Sequence, residues 1–219
     1  MASMFEPKQD ARPDDVRWPE VVWAPAPDVV LTGDWVELRP SAPSDGAELR
    51  AALSDPAVWT HIAGGPFADD EAASAWIQAI IDRGWFPWTV RLRREVGGRP
   101  VGAVVGWSSY LEIAPGDARL EIGNTAYDRA VWASVVNPET KLLLLTNAFE
   151  TLGVGRVQLK TDIRNHRSQQ AIARLGAQFE GVLRRYQRRA DGTVRDTVMF
   201  SITAEEWPEV RAGLEARIG

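Results

Sequence analysis

With 219 residues and a formal net charge of −5, the chain has room for one sizeable core and too few clustered cations for nucleic acid to be its main partner. Its 45% hydrophobic and 25% charged residues are the balance of a soluble globular protein, and no apolar run approaches the roughly 20 residues that span a bilayer. The absence of cysteine excludes disulfides, thiolate metal sites and acyl-enzyme thioesters, and two histidines far apart in sequence, His61 and His166, offer no metal site.

Residues 1–31 read as an extended arm. The segment is proline-rich, carries Trp18 and Trp23 in WPEVVWAPAPDVV, and keeps no period of two or 3.6. Its start, MASMFEPKQDARPDD, lacks the apolar core of a secretory signal, so a cytoplasmic protein is expected. Residues 32–219 are expected to form a single domain. WVELR alternates as a strand ending at Pro40, and SAPSDGAELRAALSD offers a helix start at Ser44 or Asp45. In DDEAASAWIQAIIDRG, Ala72, Ala75, Trp76, Ala79 and Ile80 share a helix face and Gly84 marks the stop. FPWTVRLRRE and RPVGAVVGWSSY then read as strands joined through Val96-Gly97-Gly98, followed by a third strand, DARLEIGNTAY. The remainder alternates: helix PETKLLLLTNAFETLG, strand RVQLKTDI, short helix NHRSQQAIARLG, a strand pair turning at Asp191-Gly192, and a last helix near Thr203, where Thr203 and Glu206 have capping-box spacing. A meander followed by alternating helix and strand predicts a mixed α/β (α+β) sheet, mostly antiparallel and flanked by helices.

Three groups of residues carry candidate chemistry. Asn137 is a good N-cap and Pro138 suits a first helical position, so the helix they open would offer free amides and a positive dipole end to an anion. Asn165 and Ser168 open a short helix directly after a strand, with Ile172, Leu175 and Gly176 in order behind them. Taken alone these two are an N-cap and a first-turn serine. The basic stretch Arg184, Arg185, Arg188, Arg189 and Arg195 is most simply a solvated strand face balanced by acids elsewhere.

LTGDWVELRP, then RLEIG, then VNPETKLLLLTNAFETLGVGRVQLKTDIRNHRSQQAIARLGAQFEGVLRR together resemble the GNAT acetyltransferase superfamily, in the branch of the ribosomal-protein alanine N-acetyltransferases of the RimJ/RimL type. The resemblance covers roughly residues 31 to 203. It implies a sheet splayed between its fourth and fifth strands, with acetyl-coenzyme A in the resulting V as co-substrate. It places the pyrophosphate on the amides of Ala133, Ser134, Val135, Val136 and Asn137, with Lys141 nearby to offset Glu139, and the pantetheine arm beside Asn165. It implies direct attack of an amine on the thioester, which agrees with the absence of cysteine. Ser168 matches the position of the acid that protonates the departing thiolate, the family's more usual tyrosine being replaced by Ile172. Glu121 matches the base or water-orienting carboxylate.

Two positions depart from the family's pyrophosphate loop, where Gly-x-Gly is expected and Ala133-Ser134-Val135 stands. A positive φ at Val135 would strain a β-branched side chain by about 1–3 kcal/mol. Asn124 and Ala126 occupy places where the branch carries bulky aromatics. Trp85, Trp88, Trp107, Asn124 and Tyr127 are candidates to line an acceptor pocket for a small-molecule or peptide amine. A different donor or reaction in the same cleft, or a non-catalytic binding protein, stand as alternatives. A homodimer through the arm or a sheet edge is compatible with the sequence.

Overall fold

The computed structural model describes residues 6–10, 17, 20–62 and 64–219; Trp18, expected to help pack the arm, lies outside them. Alternation of side chains sets the strands, which in chain order are β1 (Leu31–Thr32), β2 (Val36–Pro40), β3 (Phe86–Leu92), β4 (Val104–Ala114), β5 (Arg119–Tyr127), β6 (Arg156–Asp162), β7 (Gln178–Arg188) and β8 (Val194–Thr203). The helices are α1 (Gly46–Ala52), α2 (Asp70–Asp82), α3 (Val136–Thr146), α4 (His166–Ala173) and α5 (Trp207–Ile218). The sheet order is β1-β2-β3-β4-β5-β6-β8-β7, with β5 and β6 parallel and every other neighbouring pair antiparallel.

Local chemistry accounts for the helix limits. Asp69 caps α2 by accepting from the Ala72 N–H at 2.8 Å, and Gly84 closes the segment at a φ of +80° that a side chain would resist. The last helix starts later than its signal. Glu206 accepts from the Thr203 N–H at 2.8 Å, in keeping with the capping-box spacing, but this closes a turn that precedes α5. The helix after the loop starts earlier than Asn137: Val135 holds the N-cap position, α3 begins at Val136, and Pro138 sits inside the first turn. Pro138 is tolerated there because its missing N–H is among those with no intrahelical partner.

The sheet is covered on both faces. On one, Leu49 of α1, Leu53 just after it and Ile77 of α2 pack with Val104, Trp107 and Ala126. On the other, Leu144 and Leu145 of α3, Ile172 of α4, and Val210 and Leu214 of α5 pack with Val105, Leu120, Ile122, Val157 and Phe200. Two aromatic clusters anchor these layers. Trp107 meets Trp59, Phe67 and Trp76 on the first face, and Trp88 meets Phe86 and Tyr110 on the second. Trp23, from the described part of the arm, adds edge contacts to Phe86 and Tyr110, and the Val22 N–H donates to the Leu152 carbonyl at 2.9 Å.

The β4–β5 ladder is interrupted beside Gly106, where a Cβ would lie 2.1 Å from the Ala126 carbonyl oxygen. Only a glycine permits that approach. Between β5 and β6 the pairing is short: Arg119↔Arg156, Leu120↔Val157 and Glu121↔Gln158. Beyond Glu121, β5 continues to Tyr127 along β4 while β6 diverges, so the sheet opens into a V. These are the fourth and fifth strands of the expected count, displaced by one because the two-residue β1 precedes them.

Candidate functional site

Glu121 stands at the apex of the V. Its neighbours Leu120 and Ile122 face the α3 layer, so strand alternation turns the Glu121 side chain to the other face, where it is 2% exposed. Its Oε1 lies 2.7 Å from where a Cβ on Gly123 would stand, so the missing side chain of Gly123 leaves room for the carboxylate. Lys160 Nζ of β6 lies 2.8 Å away, and Gln158 donates at 3.3 Å. Burial pushes the Glu121 carboxyl above its ordinary value, with the Lys160 ammonium acting against that rise. Lys160 also pairs with Glu112, and these two carboxylates outweigh burial and raise its pKa. The apex is therefore an ion pair that leaves Lys160 firmly charged.

The loop before α3 lies at the mouth of the V. Ser134 Oγ donates to the Val131 carbonyl at 2.6 Å and accepts from the Val136 N–H at 3.3 Å. The N–H groups of Ala133, Ser134, Val135 and Asn137 have no partner among the described residues. The positive φ of the loop falls at Ala133, at +58°, while Val135 is helical at −67°. The strain expected at Val135 is thus absent, and the residue that carries the left-handed conformation has the smallest side chain after glycine.

Two charged residues of α3 face elsewhere. Glu139 points away from the loop and accepts the backbone N–H groups of Asp34, Trp35 and Val36 at 2.8, 2.8 and 2.7 Å. Its charge is taken up by the turn between β1 and β2, so it does not repel an anion at the loop. Lys141 is no phosphate ligand. It is 5% exposed, and its Nζ reaches Ser108 Oγ of β4 at 3.0 Å and Thr125 Oγ1 of β5 at 2.8 Å.

Across the mouth, Asn165 caps α4 through its Oδ1, which accepts from the Ser168 N–H at 3.1 Å. Its side-chain amide N–H groups remain available. Ser168 is half-buried, and its hydroxyl makes no hydrogen bond among the described residues. A cleft of about 370 Å³ joins the two sides, lined by Trp132 of the loop, Asn165, His166 and Arg167 of the α4 start, and His61 and Thr60. The Arg167 guanidinium stacks over the Trp132 ring at 3.7 Å. Neither Trp132 nor Arg167 was among the expected cofactor residues, because nothing in their spacing shows that chain segments 35 residues apart stack on each other.

The proposed acceptor pocket is only partly assembled. Trp88 and Trp107 are enclosed, 0% and 1% exposed, inside the two aromatic clusters and line no open surface. Tyr127 is likewise buried. Trp85, ahead of β3, remains half-buried; Asn124 is half-buried on the free stretch of β5 at a φ of +45°, its Nδ2 without a partner. Of the basic stretch, Arg189 is tied to Asp162 at 2.6 Å, and the Arg185 N–H is held by Asp196. That is the balanced face expected for part of it.

The GNAT acetyltransferase domain profile matches residues 36–178. The chain belongs to the GNAT acetyltransferase family. It is an N-acetyltransferase, and the parallel β5–β6 pair with its V is the GNAT frame. The chain is 30% identical over 172 residues to the uncharacterized N-acetyltransferase p20 of Bacillus licheniformis, covering 78% of this chain and 93% of that one. A solved T. thermophilus structure, provisionally assigned as an acetyltransferase, is 38% identical with a TM-score of 0.78, covering 90% of this chain and all of that one (100%). The ribosomal-protein-S5-alanine acetyltransferase of Vibrio fischeri shares the fold, with a TM-score of 0.66 at 16% identity over 82% of this chain and 99% of its own. Among the described residues no helix is long and apolar enough to cross a membrane, and no group of His, Cys, Asp and Glu could hold a metal ion.

Proposed function

We propose that this GNAT enzyme moves an acetyl group from acetyl-coenzyme A to a primary amine by direct attack on the thioester. The observation that carries this reading is the conjunction at the mouth of the V: unpartnered amides of Ala133, Ser134, Val135 and Asn137 on one side, and the free Asn165 amide and Ser168 hydroxyl on the other, with the cleft between Trp132 and Asn165. The residues present fit the cofactor. The loop amides and the positive end of α3 suit a pyrophosphate, Glu139 is turned away, and Arg167 adds a cation with no carboxylate in contact among the described residues. Acetyl-coenzyme A supplies an activated acetyl group on a leaving thiolate.

The chain's own groups do the rest. Asn165 donates to a pantetheine carbonyl and so sets the depth of the thioester in the V. Ser168 donates its proton toward the departing sulfur, whose free thiol pKa lies near 8.5. Glu121, paired with Lys160 at 2.8 Å, attracts and orients the incoming ammonium or its water. Small-molecule and peptide amines both suit such an apex.

Calorimetry with acetyl-coenzyme A and with desulfo-coenzyme A tests the donor. Micromolar to submillimolar binding of both is expected, and no detectable heat at millimolar ligand would sink the assignment in favour of another donor or a non-catalytic role. With any accepted amine, Ser168→Ala and Glu121→Ala should each lower turnover by about 100-fold. Unchanged rates would refute the two roles.

A further inference from the structure

The wall of the V contains a titratable group with no part in the chemistry above. Lys141 Nζ contacts Ser108 Oγ at 3.0 Å and Thr125 Oγ1 at 2.8 Å, and those two hydroxyls are 2.8 Å apart, so the three atoms form a closed triangle. A neutral amine spends its two N–H groups on the two hydroxyls and keeps a lone pair. An ammonium would bring a third N–H with no acceptor and a charge with no carboxylate in contact among the described residues. The triangle therefore gives an ammonium no counter-charge and favours the uncharged amine.

Its position matters as much as its state. Ser108 is fully buried, but Thr125 is half-buried and belongs to the stretch of β5 beyond Glu121↔Gln158, where β6 has left the sheet. Thr125 is thus the least buried member of the triangle and the one next to the open V. The titratable group of β5 whose charge acts on Lys141 is Glu121, itself paired with Lys160 of β6, while β4 presents the Ser108 hydroxyl. Burial pulls the Lys141 pKa from 10.5 down to about 7, the Glu121 carboxylate opposing that fall. The Glu121 carboxylate is already engaged by Lys160 Nζ at 2.8 Å and by Gln158 at 3.3 Å.

We propose that Lys141 is the proton acceptor of the transfer, reached from the V through the Thr125 hydroxyl. The inference rests on the acetyl-transfer reading above. Once rotation about the Cε–Nζ bond turns the Lys141 lone pair toward Thr125, the incoming R–NH3⁺ passes a proton to Thr125 Oγ1 while the Thr125 hydroxyl proton moves to that lone pair, leaving R–NH2 and a Lys141 ammonium. The freed amine forms the C–N bond at the thioester carbonyl and the C–S bond breaks. Ser168 protonates the departing thiolate and is itself reprotonated by the surplus proton on nitrogen. Lys141 then returns its proton through Thr125 to solvent.

The test uses the full chain and its Lys141→Met and Thr125→Val variants. Transfer from acetyl-coenzyme A to an alanine-initiated peptide is followed from about pH 6 to about pH 9.5, with acetyl-coenzyme A affinity measured beside it. Both variants should lose about 100-fold in kcat with Kd changed less than twofold, and the acid limb of the kcat profile should disappear in Lys141→Met. A merely structural role would instead shift Kd and leave the limb in place. Nitrogen-detected NMR of the Lys141 Nζ, assigned by its loss in Lys141→Met, decides the matter whatever the acceptor. Deprotonation well below the range of a surface lysine is expected, and an ammonium persisting to about pH 9 overturns the proposal. Wild-type protein that fails to bind acetyl-coenzyme A sinks the functional reading and this one with it. Binding and turnover with kcat unchanged in Lys141→Met sinks the role of Lys141 alone.

Discussion

Replacing Lys141 by methionine should make the protein more stable. Burial lowers the Lys141 pKa from 10.5 to about 7, which corresponds to a difference of about 5 kcal/mol between its two protonation states at full effect. Because the folded-state pKa lies below that of the unfolded chain, the unfolded chain holds more protons between these values. The contribution of Lys141 to stability therefore rises with pH from about 7 to 10.5 and is least favourable, and constant, below that window. Methionine fills nearly the same space without the charge, and Ser108 and Thr125 remain bonded to each other at 2.8 Å. Relaxation of the site reduces the gain to about 1–4 kcal/mol at neutral pH, the range seen when buried charges are replaced by apolar side chains. Urea unfolding of both proteins at about pH 6.5, 8 and 9.5 isolates the effect, since their difference cancels the other titrating groups. The advantage of Lys141→Met should be largest at the lowest pH and shrink toward the highest. A variant less stable than wild type at neutral pH, or a difference that does not vary with pH, would refute the argument that this amine is buried at a cost.

Two further outcomes are expected. Glu139→Ala removes the acceptor of three backbone N–H groups at residues 34–36 and should destabilise the protein by about 2–4 kcal/mol, with hydrogen exchange accelerated at those amides. Equal protection in the variant would show that the turn holds itself. Ala133→Gly relieves a left-handed φ of +58° and gives a small gain, up to about 1 kcal/mol, offset in part by the freer unfolded chain, whereas Ala133→Val should lower both melting temperature and acetyl-coenzyme A affinity. An Ala133→Val protein with unchanged melting temperature and affinity would contradict the left-handed assignment.

Much of the frame was legible along the chain because its determinants are local. The Asp69 cap and the Gly84 stop of α2, the strand period in RLEIG, and the Asn165 cap of α4 each depend on neighbours within a few residues. The resemblance carried the V and located it at the right pair of strands. Helix α3 shows the limit of such signals: Asn137 and Pro138 have the chemistry of a start, yet the helix begins earlier, because the loop before it is shaped by Ser134 bonding to Val131 and by its seat against the sheet.

What only the tertiary structure decided is where charged side chains go. Glu139 and Lys141 lie two residues apart on one helix, about 200° apart around its axis, and spacing alone does not say what either side chain meets. Glu139 meets amides more than a hundred residues earlier in the chain, at the β1–β2 turn, and Lys141 meets hydroxyls on β4 and β5. The tryptophans divide in the same way, Trp88 and Trp107 being enclosed from opposite faces of one sheet while Trp132 stacks on Arg167 at the cleft. By itself the sequence determined the elements, their order and the family's frame, since caps, periods and turns act over a few residues. Whether a buried amine is charged depends on which distant groups surround it, and only the folded chain brings Ser108, Thr125 and Glu121 around Lys141.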